Sequence, residues 1–199
     1  TTAIEQWDRE SVAERLAQAS AERTEFVERF PPSMWPGVDL EDYALGQADS
    51  PDAFSRWIEF RTPTIGSIKG GSAPKHLVFR RVTGDWFFES KYGSVEEAWD
   101  AVRNGFAELV AAGTEGRWND IDQIEGLWAA PAVRGKTAWI YFPDQLLPIY
   151  SKKHLDYWLR LFDIDSGDLG ALGRNRLLFE QLTSMPAFDG WSPLEIMFF

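Results

Sequence analysis

Apolar positions along the chain recur mostly at helical spacing, with a few short alternating runs between them. In "RESVAERLAQASAERTEFVERF" (residues 9–30), Val12, Leu16, Ala19, Phe26, Val27 and Phe30 form a stripe with acids toward its start. This predicts one broken or two consecutive amphipathic helices ending at Pro31. "PPSMWPGVDLEDY" (31–43) reads as a punctuated connection pinned to the body by Trp35. "AFSRWIEF" (53–60) places Phe54, Arg56, Ile58 and Phe60 on one side and Ser55, Trp57 and Glu59 on the other. Large apolar residues on both sides predict a strand covered on both faces.

"KHLVFRRV" and "DWFFESKY", separated at "TGD", predict a β-hairpin that presents Arg80 and Lys91 near its polar positions. "SVEEAWDAVRNGFAELVAAG" (94–113) is the clearest helix. Ser94 and Glu97 supply a capping box, Val95, Ala98, Val102, Phe106, Leu109 and Val110 one face, and Gly113 a stop. "WNDIDQIEGLW" predicts a short helix, whereas "KTAWIYFPDQLLPIY" fits either strand-turn-strand or a buried helix followed by a strand. Ser151 caps a helix with Leu155, Trp158, Leu159 and Phe162 on one face, and "GRNRLLFEQLTSMP" and "SPLEIMFF" give two more, the last with Pro193 in its first turn. The fold class expected is α+β: one helix-rich domain over 1–199 with a small central, mostly antiparallel sheet. Residues 1–42 form a helical N-terminal part, 43–150 the sheet-containing core, and 151–199 C-terminal helices. The chain opens on Thr1 without an initiating Met and stops inside an apolar run, so a longer natural chain with a downstream region is expected.

Cysteine is absent and there are 2 histidines, which removes disulfides and thiolate zinc sites and leaves only carboxylate-based metal sites. No apolar run reaches the length of a membrane span, and the N-terminus lacks signal-peptide order, so a soluble, cytoplasmic protein with no membrane partner is expected. The net charge is -11, yet residues 56–81 hold Arg56, Arg61, Lys69, Lys75, Arg80 and Arg81 against Glu59 alone. An acidic body repels phosphate at long range, and so would steer an anionic partner to this one flexible, glycine-rich segment. The bland alternative is a basic loop balancing nearby carboxylates.

Within the segment, "GSIKGG" fails as a P-loop, because Gly70 and Gly71 lead to Ser72, Ala73 and Pro74 instead of Lys followed by Ser or Thr. Charge and placement nominate Lys69, Gly70, Ser72, Lys75, His76, Arg80 and Arg81 as DNA contacts. Trp57, Trp86 and Tyr92, on or beside the flanking strands, are the base-stacking candidates among 10 tryptophans and 5 tyrosines. Core packing is the alternative for each aromatic, and a half-buried strand position is the alternative for His76.

A nuclease reading rests on Asp85, Glu89 and Lys91, where an apolar strand ends in Glu-x-Lys. Such a pair can hold Mg2+ and orient water, although Asp85 lies too close in sequence to come from a preceding strand and Asp52 would need an unusual approach. The chain has no Gly-x-Ser-x-Gly elbow or His-Glu-x-x-His motif, and His76 and His154 lack an evident nucleophile partner. No catalytic residue, metal site or cofactor is therefore assigned.

At "YALGQADSPDAFSRWIEFRTPTIGSIKGGSAPKHLVFRR" the sequence resembles the N-terminal region of McrB-family AAA+ proteins of modification-dependent (type IV) restriction systems. The resemblance continues through "KYGSVEEAWDAVR" and "GKTAWIYFPDQLLPIYSKKHL" and so covers roughly residues 43–162. It implies a non-catalytic specificity domain that recognises DNA, unmodified or modified, or another trigger in antiviral defence. A GTPase or ATPase motor would follow in the same chain, and a separate nuclease subunit would cut. Several unrelated domains occupy this position in the family, so no contact residue transfers by motif. A protein-interaction or phage-trigger-sensing module and the Mg2+-dependent nuclease are the alternatives.

Overall fold

The computed structural model describes residue 4 and residues 6–46, 52–70 and 73–199. A three-residue 3-10 turn at Glu10–Val12 leads straight into α1, Ala13–Arg29, so the first amphipathic stretch is one continuous helix. It ends because Pro31 disfavours helical geometry at Phe30, whose φ is -127° and whose N–H still closes the last turn on the Phe26 carbonyl at 2.8 Å. The proline-rich connection becomes a 3-10 turn, Pro32–Gly37, followed by the single turn α2, Leu40–Tyr43.

Phe54–Phe60 is helix α3, not the strand its alternation predicts. Phe54, Trp57 and Ile58 also satisfy helical spacing, and helix wins because it buries Phe54 and Ile58 together while Arg56 and Phe60 face solvent. The expected hairpin is present but minimal. β1 (Phe79–Arg80) pairs antiparallel with β2 (Trp86–Phe87), with Phe79 opposite Phe87 and Arg80 opposite Trp86. A parallel bridge from Leu45 to Phe79 ties it to the chain after α2.

The core is built on α4, Val95–Thr114, and α6, Pro131–Tyr141. Ser94 caps α4 by accepting the Glu97 N–H at 3.2 Å, and the Glu97 carboxylate reaches back to the N–H of Gly93 at 2.8 Å. Trp35 stacks on Phe106 with centroids 4.1 Å apart, while Tyr43, Phe54 and Trp99 fill the space around them. Trp35 also donates to the Tyr141 hydroxyl, which donates to the Phe30 carbonyl at 3.0 Å, so the pinned loop, α1 and α6 share one polar anchor.

For residues 136–150 the buried helix is the correct alternative, since Val133 through Tyr141 are all buried. No strand follows it; Phe142–Tyr150 runs as turns and irregular chain. Between α4 and α6 lie the single turn α5, Trp118–Ile121, and a 3-10 turn at Glu125–Leu127. The C-terminal helices are α7 (Lys152–Leu161), α8 (Ala171–Thr183) and α9 (Pro193–Phe198). They enclose a second apolar cluster containing Leu147, Leu155, Leu159, Leu178, Leu182, Phe188 and Ile196. Ser151 precedes α7 without a side-chain cap bond, whereas Ser192 and Glu195 form a complete capping box on α9. Among the described residues no helix is long and apolar enough to cross a membrane.

Gly113 does not stop α4, which runs on to Thr114; the left-handed turn falls at Gly116, with φ of +73°. Gly113 instead makes room, because a β-carbon there would lie 2.2 Å from the Phe142 ring. Gly113→Ala therefore loses stability despite alanine's better helix propensity. Urea unfolding should register a loss of about 1–3 kcal/mol from overpacking. An unchanged or raised midpoint would show that Phe142 moves aside without cost.

Candidate functional site

The basic segment is a loop held from beneath. The Lys136 side chain on α6 is fully buried, and its Nζ donates to the carbonyls of Thr62 and Gly66, both at 2.7 Å. The Tyr150 hydroxyl donates to the Ile65 carbonyl at 2.6 Å. Lys75 Nζ donates to the carbonyls of Ile68 and Gly70 at 2.8 Å each and to Glu59 at 2.6 Å. From α1, Glu22 accepts both the N–H and the hydroxyl of Thr64. Gly66, at φ of +96°, makes the turn against Tyr150, whose ring a β-carbon would meet at 2.7 Å. The flexible segment expected from the glycines is thus a tethered one over 62–70.

This tethering removes two nominated DNA contacts. Lys75 is spent on Glu59 and two carbonyls, and His76 has no exposed surface, with its Nε2 at 2.7 Å from the second Glu59 oxygen. Burial would push the Glu59 carboxyl up, but Lys75 and His76 outweigh it and hold the carboxyl below its usual range. Burial pulls His76 down from its ordinary value against the opposing pull of Glu59. The group therefore works as a neutral imidazole N–H and an ammonium sharing one carboxylate. It ties α3 to the chain leading into the hairpin.

The remaining nominees divide. Ser72 lies outside the described residues. Gly70 is exposed, but its carbonyl faces Lys75. Lys69, Arg80 and Arg81 are exposed, and like Arg56 and Arg61 they have no carboxylate partner among the described residues. Arg80 braces the hairpin turn by donating to the Gly84 carbonyl at 2.9 Å, and Arg81 lies 5.4 Å from the centroid of the Phe87 ring.

Trp57, Trp86 and Tyr92 do not form a cage. Each is half-buried against the main core, and no ring contact joins any two of them. Trp57 packs edge-on to Phe30 and donates to Asp52. The aromatic exposed beside the basic loop is instead Phe60, which is 45% accessible with Arg56 and Lys69 each 5.8 Å from its centroid. Reading α3 as a strand grouped Phe60 with Phe54 and Ile58 and hid it. In a helix it stands two residues beyond Ile58, away from the buried stripe.

The nuclease constellation is not assembled. Asp85 accepts from Thr83 within the hairpin turn, while Lys91 sits between Glu89 and Glu125 at 3.4 and 3.3 Å. Among the described residues no group of three His, Asp or Glu side chains could hold a metal ion.

Beneath the loop, Gly66, Ser67, Ile68 and Lys69 form one lip of a cleft with a volume of about 690 Å3. Its floor is the second apolar cluster, and its far wall includes Ser151, Lys152, His154 and Trp158 at the start of α7. Periodicity had assigned Trp158 and Phe162 to a buried helical face, whereas Trp158 is 41% exposed at this wall.

The loop's anchor has a measurable signature. Burial lowers Lys136 to about 7; the Glu22 and Glu59 charges oppose this, and the Lys69 charge adds to it. A neutral amine has two N–H groups for its two carbonyls, whereas an ammonium would keep one buried N–H unpaired. Between pH 7 and about 10 the unfolded lysine keeps its proton while the folded one releases it, so stability should rise with pH in that window. The slope should approach about 1.4 kcal/mol per pH unit at its steepest. Urea unfolding at pH 7, 8 and 9 should show the rise in the native chain. Lys136→Met should lose both the rise and at least about 2 kcal/mol, because two carbonyls are left without donors. A slope that persists in Lys136→Met would assign the titration to another group.

Compared with known proteins, the chain matches no family model, and no curated protein or solved structure matches it.

Proposed function

We propose that the chain is a non-catalytic DNA-recognition domain of a McrB-like defence protein, with its motor elsewhere in the same chain and its nuclease on a separate subunit. One observation carries this reading. Of the six cations in residues 56–81, only Lys75 is ion-paired among the described residues, and two of the other five flank the exposed ring of Phe60. A base stacks on such a ring while the neighbouring cations hold its phosphates, a mode that serves single strands and extruded nucleotides alike. The acidic body confines the contact to this place. Arg56 and Lys69, each 5.8 Å from the ring centroid, are the phosphate contacts at the ring, and Arg61, Arg80 and Arg81 are the further exposed cations of the segment.

A second reading is a module docked by a protein trigger. It is favoured by Tyr157 and Leu161, one turn apart on α7 and more than half exposed.

Fluorescence anisotropy distinguishes the two. One labelled duplex would be prepared unmodified, methylated and hydroxymethylated, with the matching single strands, at low and moderate salt. Binding should fall steeply with salt. Phe60→Ala should weaken it by roughly 1–3 kcal/mol, and the Arg56→Glu, Lys69→Glu double variant should abolish it. Absence of binding at low salt would transfer the reading to the protein trigger, with α7 as the first surface to mutate. Affinity unaffected by the double variant would place DNA elsewhere on the molecule.

A further inference from the structure

We propose that the cleft between the 66–69 loop and the C-terminal helices binds a small amphipathic anion, an aliphatic chain ending in a carboxylate. This stands apart from the DNA reading, and no step of it requires nucleic acid.

The floor defines one end of the ligand. Leu147, Leu178, Leu182, Phe188 and Ile196 are at most 9% exposed and present aliphatic and aromatic carbon to the cleft. A nucleobase would leave its hydrogen-bonding edges facing this surface, whereas a hydrocarbon chain has no polar group to lose there. The volume of about 690 Å3 falls in the range of small-molecule sites, roughly 300–1,000 Å3.

The rim defines the other end. Lys69, Lys152 and His154 all line the cleft and are exposed, and among the described residues no Asp or Glu side chain lines it in a chain of net charge -11. Asp156, outside the lining, is the carboxylate in reach of this rim; it accepts from Lys152 at 3.0 Å and also pairs with Arg174. The Lys152 pair is an exposed i,i+4 contact worth a few tenths of a kcal/mol, which a bound anion can replace.

Backbone geometry leaves two amide donors on this lip. The Gly66 carbonyl points at the buried Lys136 amine, and no described peptide bond is cis, so the N–H of Ser67 in the same peptide plane points the opposite way. The same holds for the Gly66 N–H, because the Ile65 carbonyl points at the Tyr150 hydroxyl. Neither N–H has a partner among the described residues, and both residues line the cleft. Pulling the carbonyls inward leaves amide donors for an anion, and Lys69 follows two residues later.

Isothermal titration calorimetry of the intact chain tests this, with decanoate below its micelle concentration as the probe. Decanol, decyltrimethylammonium and a deoxynucleoside monophosphate serve as controls. The expected result is one saturable site for decanoate, with decanol and the cation at least about tenfold weaker. Lys152→Glu should weaken decanoate by a similar factor, and Ala132→Trp or Ala171→Trp, which place a ring inside the cleft, should remove the site. Circular dichroism would confirm that each variant folds, and Lys152→Glu, on an exposed residue, keeps the test open if the filled variants do not. No saturable decanoate binding, equal binding of decanol, or binding that survives the filled cleft would overturn the proposal. Tighter binding of the nucleotide than of decanoate would also overturn it and assign the cleft to an extruded base.

Discussion

The course of the loop over residues 62–66 depends on one buried amine. Lys136 sits on a helix whose other residues from Val133 to Tyr141 are also buried, and it reaches the loop through two carbonyls. A lysine in that position costs several kcal/mol if charged and unpaired, and the protein lessens the cost by making the neutral form accessible near pH 7. The return is a loop with a fixed course. Tyr150, Lys75 and Glu22 complete the tether from three other parts of the chain, so that 62–70 cannot be displaced without breaking contacts to α1, α3 and α6 at once.

Two kinds of cation follow from this. Lys75 and Lys136 point inward and act on carbonyls, whereas Lys69, Arg56, Arg61, Arg80 and Arg81 are exposed without carboxylate partners among the described residues. Apart from Lys136, the sequence shows them as one charge cluster, because charge counting carries no direction. His76 was hidden in the same way. A histidine in a basic stretch reads as either a DNA contact or a half-buried position until Glu59, seventeen positions earlier, is seen to share its carboxylate with Lys75 and His76 together.

The long helices and the hairpin were legible because their signals are local. Ser94 with Glu97, Pro193 after Ser192, and "TGD" between two aromatic runs each fix geometry within a few residues. Phe54–Phe60 was misread because seven residues supply too few repeats to separate a period of two from one of 3.6, and the deciding term is tertiary: Phe54 and Ile58 must enter the same cluster as Phe26, Trp35 and Phe106. The cost of that error was functional. It concealed Phe60, the exposed ring beside the loop, and directed attention to Trp57, Trp86 and Tyr92, whose burial is core packing. The cleft was invisible for another reason, since its lip and floor are brought together only by the packing of α6, α7 and α8.

Lys69 belongs to both candidate surfaces. Its ammonium lies 5.8 Å from the Phe60 ring, and the same residue lines the cleft. One ammonium cannot neutralise a phosphate at the ring and a carboxylate in the cleft to the full extent at the same time. If both proposals hold, a ligand in the cleft would weaken a nucleotide at Phe60, and by reciprocity the nucleotide would weaken the ligand by the same factor. The tether makes this coupling sharp. A loop free to move could offer Lys69 to each in turn, but with its carbonyls held at Thr62, Ile65, Gly66, Ile68 and Gly70 the choice is left to the side chain alone.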